Sequence, residues 1–173
     1  MKTPSFFLLV VVCTFTHIVR TIYEVLKHKR ILTPNKLTFV IIFTNMTILW
    51  LSWIALCTRD ISKILLPGLL HDFGLWLCIT GLTIFVSALF TIKTLETYEG
   101  DLITNGIYSK IRHPMYTGFI LWSIGFPIYF GAVYASILSL VFIANILFWR
   151  YLEEIELDKR FPGYKEYKVK TWF

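Results

Sequence analysis

Residues 73–92 read FGLWLCITGLTIFVSALFTI, twenty residues without an Asp, Glu, Lys or Arg. An α-helix rises about 1.5 Å per residue, so this run is about 30 Å long, the thickness of a bilayer's hydrocarbon core. Two more apolar blocks precede it. One runs from about Phe6 to Val19; the other, from about Leu37 to Leu56, follows Thr33-Pro34-Asn35, which reads as a cap and a helix start. Beyond it, apolar sequence resumes at about Tyr116 and continues to about Tyr151, interrupted by Pro127 and Gly131. That interruption predicts two antiparallel helices joined by a tight turn, the first of them short for a full span. The chain reads as an all-α integral membrane protein with about five transmembrane helices and a C-terminal helical hairpin. Three spans fill residues 1–92; residues 93–173 hold a polar connector, the hairpin and a polar tail.

Composition agrees. Of 173 residues, 56% are hydrophobic and 16% charged, with a mean hydropathy of +0.65, whereas soluble domains carry about 25% charged residues. The net charge of +6 raises nucleic acid as a partner. Here, however, the basic residues flank apolar blocks instead of lining one polar face, so they read as orientation signals. Arg20, Lys27, Lys29, Arg30 and Lys36 lie in the first connection, and Lys93, Lys110 and Arg112 in the third. Arg150, Lys159, Arg160, Lys165, Lys168 and Lys170 lie in the tail. With the N-terminus outside and the C-terminus cytosolic, fourteen of the seventeen Lys and Arg fall on the inner side. A prokaryotic plasma membrane and an endoplasmic reticulum satisfy that rule equally. The first block lacks an A-x-A cleavage site and runs into His17, Arg20 and Tyr23, so it reads as an uncleaved helix. Cys13, Cys57 and Cys78 lie in or beside apolar segments with no Cys/His cluster, which predicts free buried thiols and no metal site. His17 and Asn45 read as satisfied buried polar residues.

The topology puts residues 93–115 and 150–173 on one face, and the chemistry is expected there. Asn105-Gly106 is a turn signal. His113 precedes Pro114, which suits the first position of a helix. Arg112 and His113 thus sit beside a helix N-terminus, where unpaired N–H groups and the dipole favour a carboxylate or phosphate; the plainer reading makes them interfacial anchors. In the tail, Glu153, Leu157 and Phe161 share one helical stripe, which turns Glu153 inward. Glu154 and Arg150 make an i, i+4 pair on what otherwise reads as a solvated face. Pro162-Gly163 ends the helix, and Tyr164 and Tyr167 follow as interface-belt residues or as the lid of a pocket. GxGxxG, Walker A, HExxH and GxSxG patterns are all missing, so any cofactor is bound by helix ends.

The run Leu102-Ile-Thr-Asn-Gly-Ile-Tyr-Ser-Lys-Ile-Arg-His-Pro-Met-Tyr-Thr-Gly118, followed later by Glu153-Glu154, resembles the signature of isoprenylcysteine carboxyl methyltransferases and their phospholipid-methyltransferase relatives. The likeness covers about residues 100–170. It implies a helical membrane enzyme that binds S-adenosylmethionine in a cytosolic pocket, with the lipid part of its substrate arriving from the bilayer. Carried over by position, it implies that Gly106, Tyr108, Arg112, His113, Pro114, Tyr116 and Gly118 shape the cofactor pocket and that Glu153 and Glu154 hold polar groups of cofactor or substrate; Tyr164 and Tyr167, with Tyr108 and Tyr116, offer ring faces to the cofactor's sulfonium. Arg112, Glu153 and Glu154 are the implied catalytic residues. The stretch before Leu102 is shorter than in the prenylcysteine enzymes, and their Leu-Gly and Trp-Ser element is missing. The acceptor therefore stays open among a prenylated cysteine carboxylate, a lipid amine and a small thiol. Sterol-type reductases that use NADPH, and a non-catalytic membrane scaffold, are the competing classes.

Overall fold

The computed structural model describes residues 2–92 and 101–173; Lys93 and the rest of the connector up to Gly100 lie outside the described residues. Six α-helices follow one another among them: α1 Lys2–His28, α2 Lys36–Thr58, α3 Gly68–Ile92, α4 Pro114–Phe130, α5 Val133–Arg160 and α6 Tyr164–Lys170. A 3-10 turn, Gly106–Ser109, stands between α3 and α4. The helices α1, α2, α3 and α5 are long and apolar enough to cross a bilayer. α4 has 17 residues, about 25 Å of helix, and is the short member expected from the sequence.

The helices outrun their apolar blocks, because a helix continues until the backbone is forced out of it. α1 passes Arg20 and ends before Arg30, which has φ +56. α5 passes Arg150 and ends at extended Phe161, ahead of Pro162. α2 starts where expected: Asn35 accepts from the Thr38 N–H at 2.9 Å, and Thr38 Oγ1 accepts from the Asn35 N–H at 2.8 Å, a reciprocal cap. Pro127, expected to interrupt the hairpin, lies inside α4. The Pro127 carbonyl, one of the last of the helix, accepts from the Ala132 N–H at 2.8 Å, which closes the C-terminal end of α4. The break falls at Gly131, whose φ is +59 and where a Cβ would collide with the Ile64 carbonyl oxygen.

Two helix pairings organise the bundle. α1 and α2 pack together and against α5 around buried Cys13, Leu49, Trp53, Phe142, Ile146 and Trp149. His17 belongs to this core: its Nδ1 lies 3.0 Å from the Asn145 amide nitrogen, and its ring stacks on Phe142 at 4.0 Å. The Asn45 amide donates to the Thr16 carbonyl at 3.0 Å. The second pairing is α3 on α4, where Gly81 meets Gly118 and Gly74 meets Gly125; a Cβ at any of the four would fall within 3.0 Å of backbone atoms or of Cys78. Removing side chains lets membrane helices approach closely and gain dispersion contacts. α3 packs on α4 and not appreciably on α2, which leaves a cleft between the two pairings.

At the end where α2 finishes and α5 begins, a single carboxylate joins the segments. Asp60 is buried; its Oδ2 accepts from the Ala135 N–H at 2.8 Å and its Oδ1 from the Ser62 N–H at 2.9 Å. It therefore caps α5 from another segment, where the chain offers no side-chain cap of its own. Replacement by alanine, Asp60→Ala, is expected to lower stability by about 1 kcal/mol, and Asp60→Asn by less, as read by denaturation in detergent.

Candidate functional site

The opposite end, where α1, α3 and α5 finish and α2 and α4 begin, gathers the polar residues. Gly106 opens the 3-10 turn with φ +55, and a Cβ there would lie 2.8 Å from Thr91 Oγ1 at the end of α3. The turn delivers the chain to His113, which caps α4 ahead of Pro114. The tail then folds back on it. The Trp172 N–H donates to the Lys110 carbonyl at 2.9 Å, the Arg112 N–H to the Trp172 carbonyl at 2.9 Å, and the His113 N–H to the Phe173 carbonyl at 3.2 Å. These bonds form a short strap alongside residues 110–113.

Glu154, near the end of α5, is the junction. Its Oε1 accepts from Arg112 Nε at 2.9 Å and from Arg150 Nη2 at 3.1 Å, and lies 3.3 Å from His113 Nε2. Its Oε2 accepts from Lys168 Nζ at 2.9 Å. The carboxylate is only 13% exposed. Arg112 Nη1 reaches onward to the carbonyls of Lys168 at 3.0 Å and Thr171 at 3.2 Å. One acid and one guanidinium thus tie together the start of α4, the end of α5 and the tail.

Beside this junction lies a cavity of about 960 Å³. At the polar end its wall includes Tyr108, His113, Tyr116, Glu153, Tyr164 and Tyr167. It continues between α2 and α3 along an apolar surface that includes Ile42, Met46, Leu82 and Leu89, as far as the cluster of Trp50, Phe85, Phe119 and Trp122. In that cluster Trp50 lies 4.7 Å from Phe119, and Phe85 lies 5.4 Å from Trp122. Tyr167 donates to the Tyr108 carbonyl at 2.6 Å, and the Tyr164 hydroxyl lies 3.4 Å from His113 Nε2. Burial pushes the phenols of Tyr108 and Tyr164 well above the ordinary tyrosine range and that of Tyr167 up to about 12. All three are neutral groups at physiological pH.

The structure thus brings together most of the residues singled out in the sequence, but not in one role. Tyr108, Arg112, His113, Pro114, Tyr116, Glu153, Tyr164 and Tyr167 line the cavity. Gly106, Gly118 and Glu154 are outside that lining: Gly106 makes a turn, Gly118 packs on α3, and Glu154 anchors the junction. The expected solvated face for Glu154 does not form, because the tail covers it. Arg112, read as an anion ligand beside the helix start, has its Nε and Nη1 engaged by Glu154 and by tail carbonyls. Reading the sequence as segments missed Arg20 and Lys27, which line the cavity from α1. Their signal was the i, i+4, i+7 spacing of Arg20, Glu24 and Lys27, an alternation of charge on one helix face.

A family model described as phospholipid methyltransferase matches residues 69–163, more than half of the chain. It begins at the start of α3, ahead of Leu102, and α3 is the helix that packs on α4 through glycine. Protein-S-isoprenylcysteine O-methyltransferase A of Arabidopsis thaliana is 32% identical over 123 residues, 64% of this chain and 57% of that protein. The corresponding enzyme B of the same plant is 30% identical over 120 residues, 62% of this chain and 55% of that protein. The Tribolium castaneum protein-S-isoprenylcysteine O-methyltransferase is 33% identical over 72 residues, 34% of this chain and 26% of that protein. The chain spans little more than half the length of the Arabidopsis relatives it matches. No solved structure matches it.

The junction makes a specific demand on stability. Glu154→Ala leaves Arg112 and Arg150 without their shared counter-charge and is expected to cost about 3 kcal/mol. Lys168→Ala removes a side chain that is 49% exposed and is expected to cost less than about 1 kcal/mol. Paired melting curves in detergent compare the two.

Proposed function

The chain belongs to the phospholipid methyltransferase family, and on that premise we propose that it is a membrane-bound S-adenosylmethionine-dependent methyltransferase acting on a lipidated acceptor, the carboxylate of a prenylated cysteine. The observation that carries the reading is the single cavity of about 960 Å³ that runs from the polar junction into an apolar cleft between α2 and α3. Ligand cavities commonly hold about 300–1,000 Å³, so this one has room for a polar cofactor and part of a lipid chain. The basic end faces the cytosol on this reading, as the distribution of Lys and Arg favours.

S-adenosylmethionine supplies a methyl group on a positive sulfonium, together with a carboxylate and an ammonium by which a protein can hold it. The residues at the polar end fit those groups. Glu153, on the cavity wall, offers a carboxylate to the ammonium. α4 starts with the N–H groups of Met115 and Tyr116, which have no acceptor within their helix, and both residues line the cavity. The dipole there favours a carboxylate. Tyr108, Tyr164 and Tyr167 present aromatic rings, and a ring face near a cation contributes about 0.5–2 kcal/mol. Arg112 and Glu154 act as positioning residues: they hold His113, α4 and the tail around the cavity. Fixing donor and acceptor in line supplies up to about 7–11 kcal/mol of a displacement's barrier, so orientation rather than acid–base chemistry is the task assigned to this chain.

A second reading follows from the description of the family, phospholipid methyltransferase: the acceptor is then the amine of a phospholipid. The two readings share the cofactor and differ in what occupies the cleft.

Purified protein in detergent or nanodiscs is expected to bind S-adenosylmethionine saturably and NADPH not at all, by calorimetry. Glu153→Gln and His113→Ala are each expected to weaken that binding about tenfold, or about 1.4 kcal/mol. Binding of NADPH instead would redirect the search to reductases, and binding of neither would favour a scaffold.

A further inference from the structure

We propose that the ring cluster of Trp50, Phe85, Phe119 and Trp122 gauges the acceptor's lipid chain: a chain of three isoprene units fills the cavity, and a fourth unit gains no place in it. This rests on the methyltransferase reading above for the chemistry at the polar end, and it narrows the acceptor by the length of its chain.

The four rings come from three helices and meet at one level. Trp50 of α2 lies 4.7 Å from Phe119 and 5.3 Å from Trp122 of α4, and Phe85 of α3 lies 5.4 Å from each of the same two rings. The pair on α4 therefore bridges α2 and α3, which do not pack appreciably on each other. Trp122 is held in its orientation, because its indole N–H donates to the Cys78 carbonyl of α3 at 3.1 Å. All four rings line the cavity, and Trp50, Phe85 and Trp122 are only partly buried by the protein, which leaves ring surface for a guest. The wall ends about one helical turn beyond them, at Ile54 of α2 and Phe126 of α4.

Helix rise turns this arrangement into a length. Pro114 opens α4 at the polar end. Trp122 and Phe126 lie eight and twelve residues further on, about 12 Å and about 18 Å along the axis. An isoprene unit places four carbons along its chain, so with carbon–carbon bonds of about 1.5 Å it advances about 5 Å when extended. Two units reach the rings without passing them. Three units, about 15 Å, pass the rings and end short of Phe126. Four units, about 20 Å, overrun the wall, and the last has to turn out between α2 and α3 into the bilayer. The lipid that the chain leaves is itself apolar, so burial alone gains little there; what the protein adds is dispersion contact with closely packed atoms. Aromatic rings offer the largest such area, and they stand where the chain passes from its second unit to its third. Contact is thus gained up to the third unit and not at the fourth.

The test uses the full chain in nanodiscs and three probes, N-acetylcysteine carrying an S-geranyl, S-farnesyl or S-geranylgeranyl chain. Amounts are expressed per bilayer lipid, so that partitioning into the bilayer cancels. Calorimetry without cofactor is expected to show the farnesyl probe binding at least tenfold more tightly than the geranyl probe, and the geranylgeranyl probe within twofold of the farnesyl one. Trp50→Ala is expected to cut the advantage of farnesyl over geranyl to less than threefold, whereas Trp50→Phe keeps it. Phe126→Ala removes the end wall and is expected to let the geranylgeranyl probe bind at least fivefold more tightly than the farnesyl one. A wild type that binds the geranyl and farnesyl probes alike, or gains as much from the fourth unit as from the third, overturns the proposal even if the variants fail to fold. So does an unchanged length profile in a Trp50→Ala protein with a normal melting curve. A protein that binds S-adenosylmethionine but none of the probes overturns the gauge and leaves the methyltransferase reading standing. One that shows the length profile but binds no S-adenosylmethionine supports the gauge and overturns that reading.

Discussion

The contact between Arg112 and Glu154, 2.9 Å across forty-two residues of chain, joins the start of α4 to the end of α5. Three cations and a histidine share that carboxylate. The same guanidinium donates to two carbonyls of the tail. Water is partly excluded there, so each charge needs its partner and the geometry is over-determined. Without this junction neither the strap along residues 110–113 nor the placement of Tyr164 and Tyr167 would be specified.

The bundle supplies the second constraint. α3 and α4 meet glycine to glycine, while α1 and α2 pack around tryptophan, phenylalanine and a satisfied histidine. Two pairings with different interfaces leave a cleft between α2 and α3, and the aromatic cluster of Trp50, Phe85, Phe119 and Trp122 occupies it at one level. Because the cleft opens onto the polar junction, one cavity carries both chemical characters a lipid-modifying site requires. That continuity is what connects membership of the phospholipid methyltransferase family to the reaction proposed for this chain.

Charge placement refines that connection. Glu153 and Glu154 are neighbours in sequence, yet one lines the cavity and the other is held by cations behind it. On a helix, consecutive residues point about 100° apart, so a pair of acids serves two purposes at once. α1 repeats the arrangement with the signs reversed: a buried acid keeps two cations at the wall.

The sequence by itself determined the class of structure, because runs such as residues 73–92 can hide their backbone polar groups in a bilayer only as helices. It also determined the hairpin, a helix start at Thr33-Pro34-Asn35, the start of α4 at Pro114 and the inward stripe of Glu153, Leu157 and Phe161, since each follows from local backbone chemistry or helical period. Tertiary structure decided the rest. Nothing local distinguishes Glu153 from Glu154, or shows that Gly118 packs against Gly81 of α3. Asp60 caps a helix seventy-five residues away. Arg20 and Lys27 look like ordinary inside-facing charges until α1 is set against α5. Such roles depend on which surfaces meet, and that is settled by the packing of whole helices and not by any segment's own propensities.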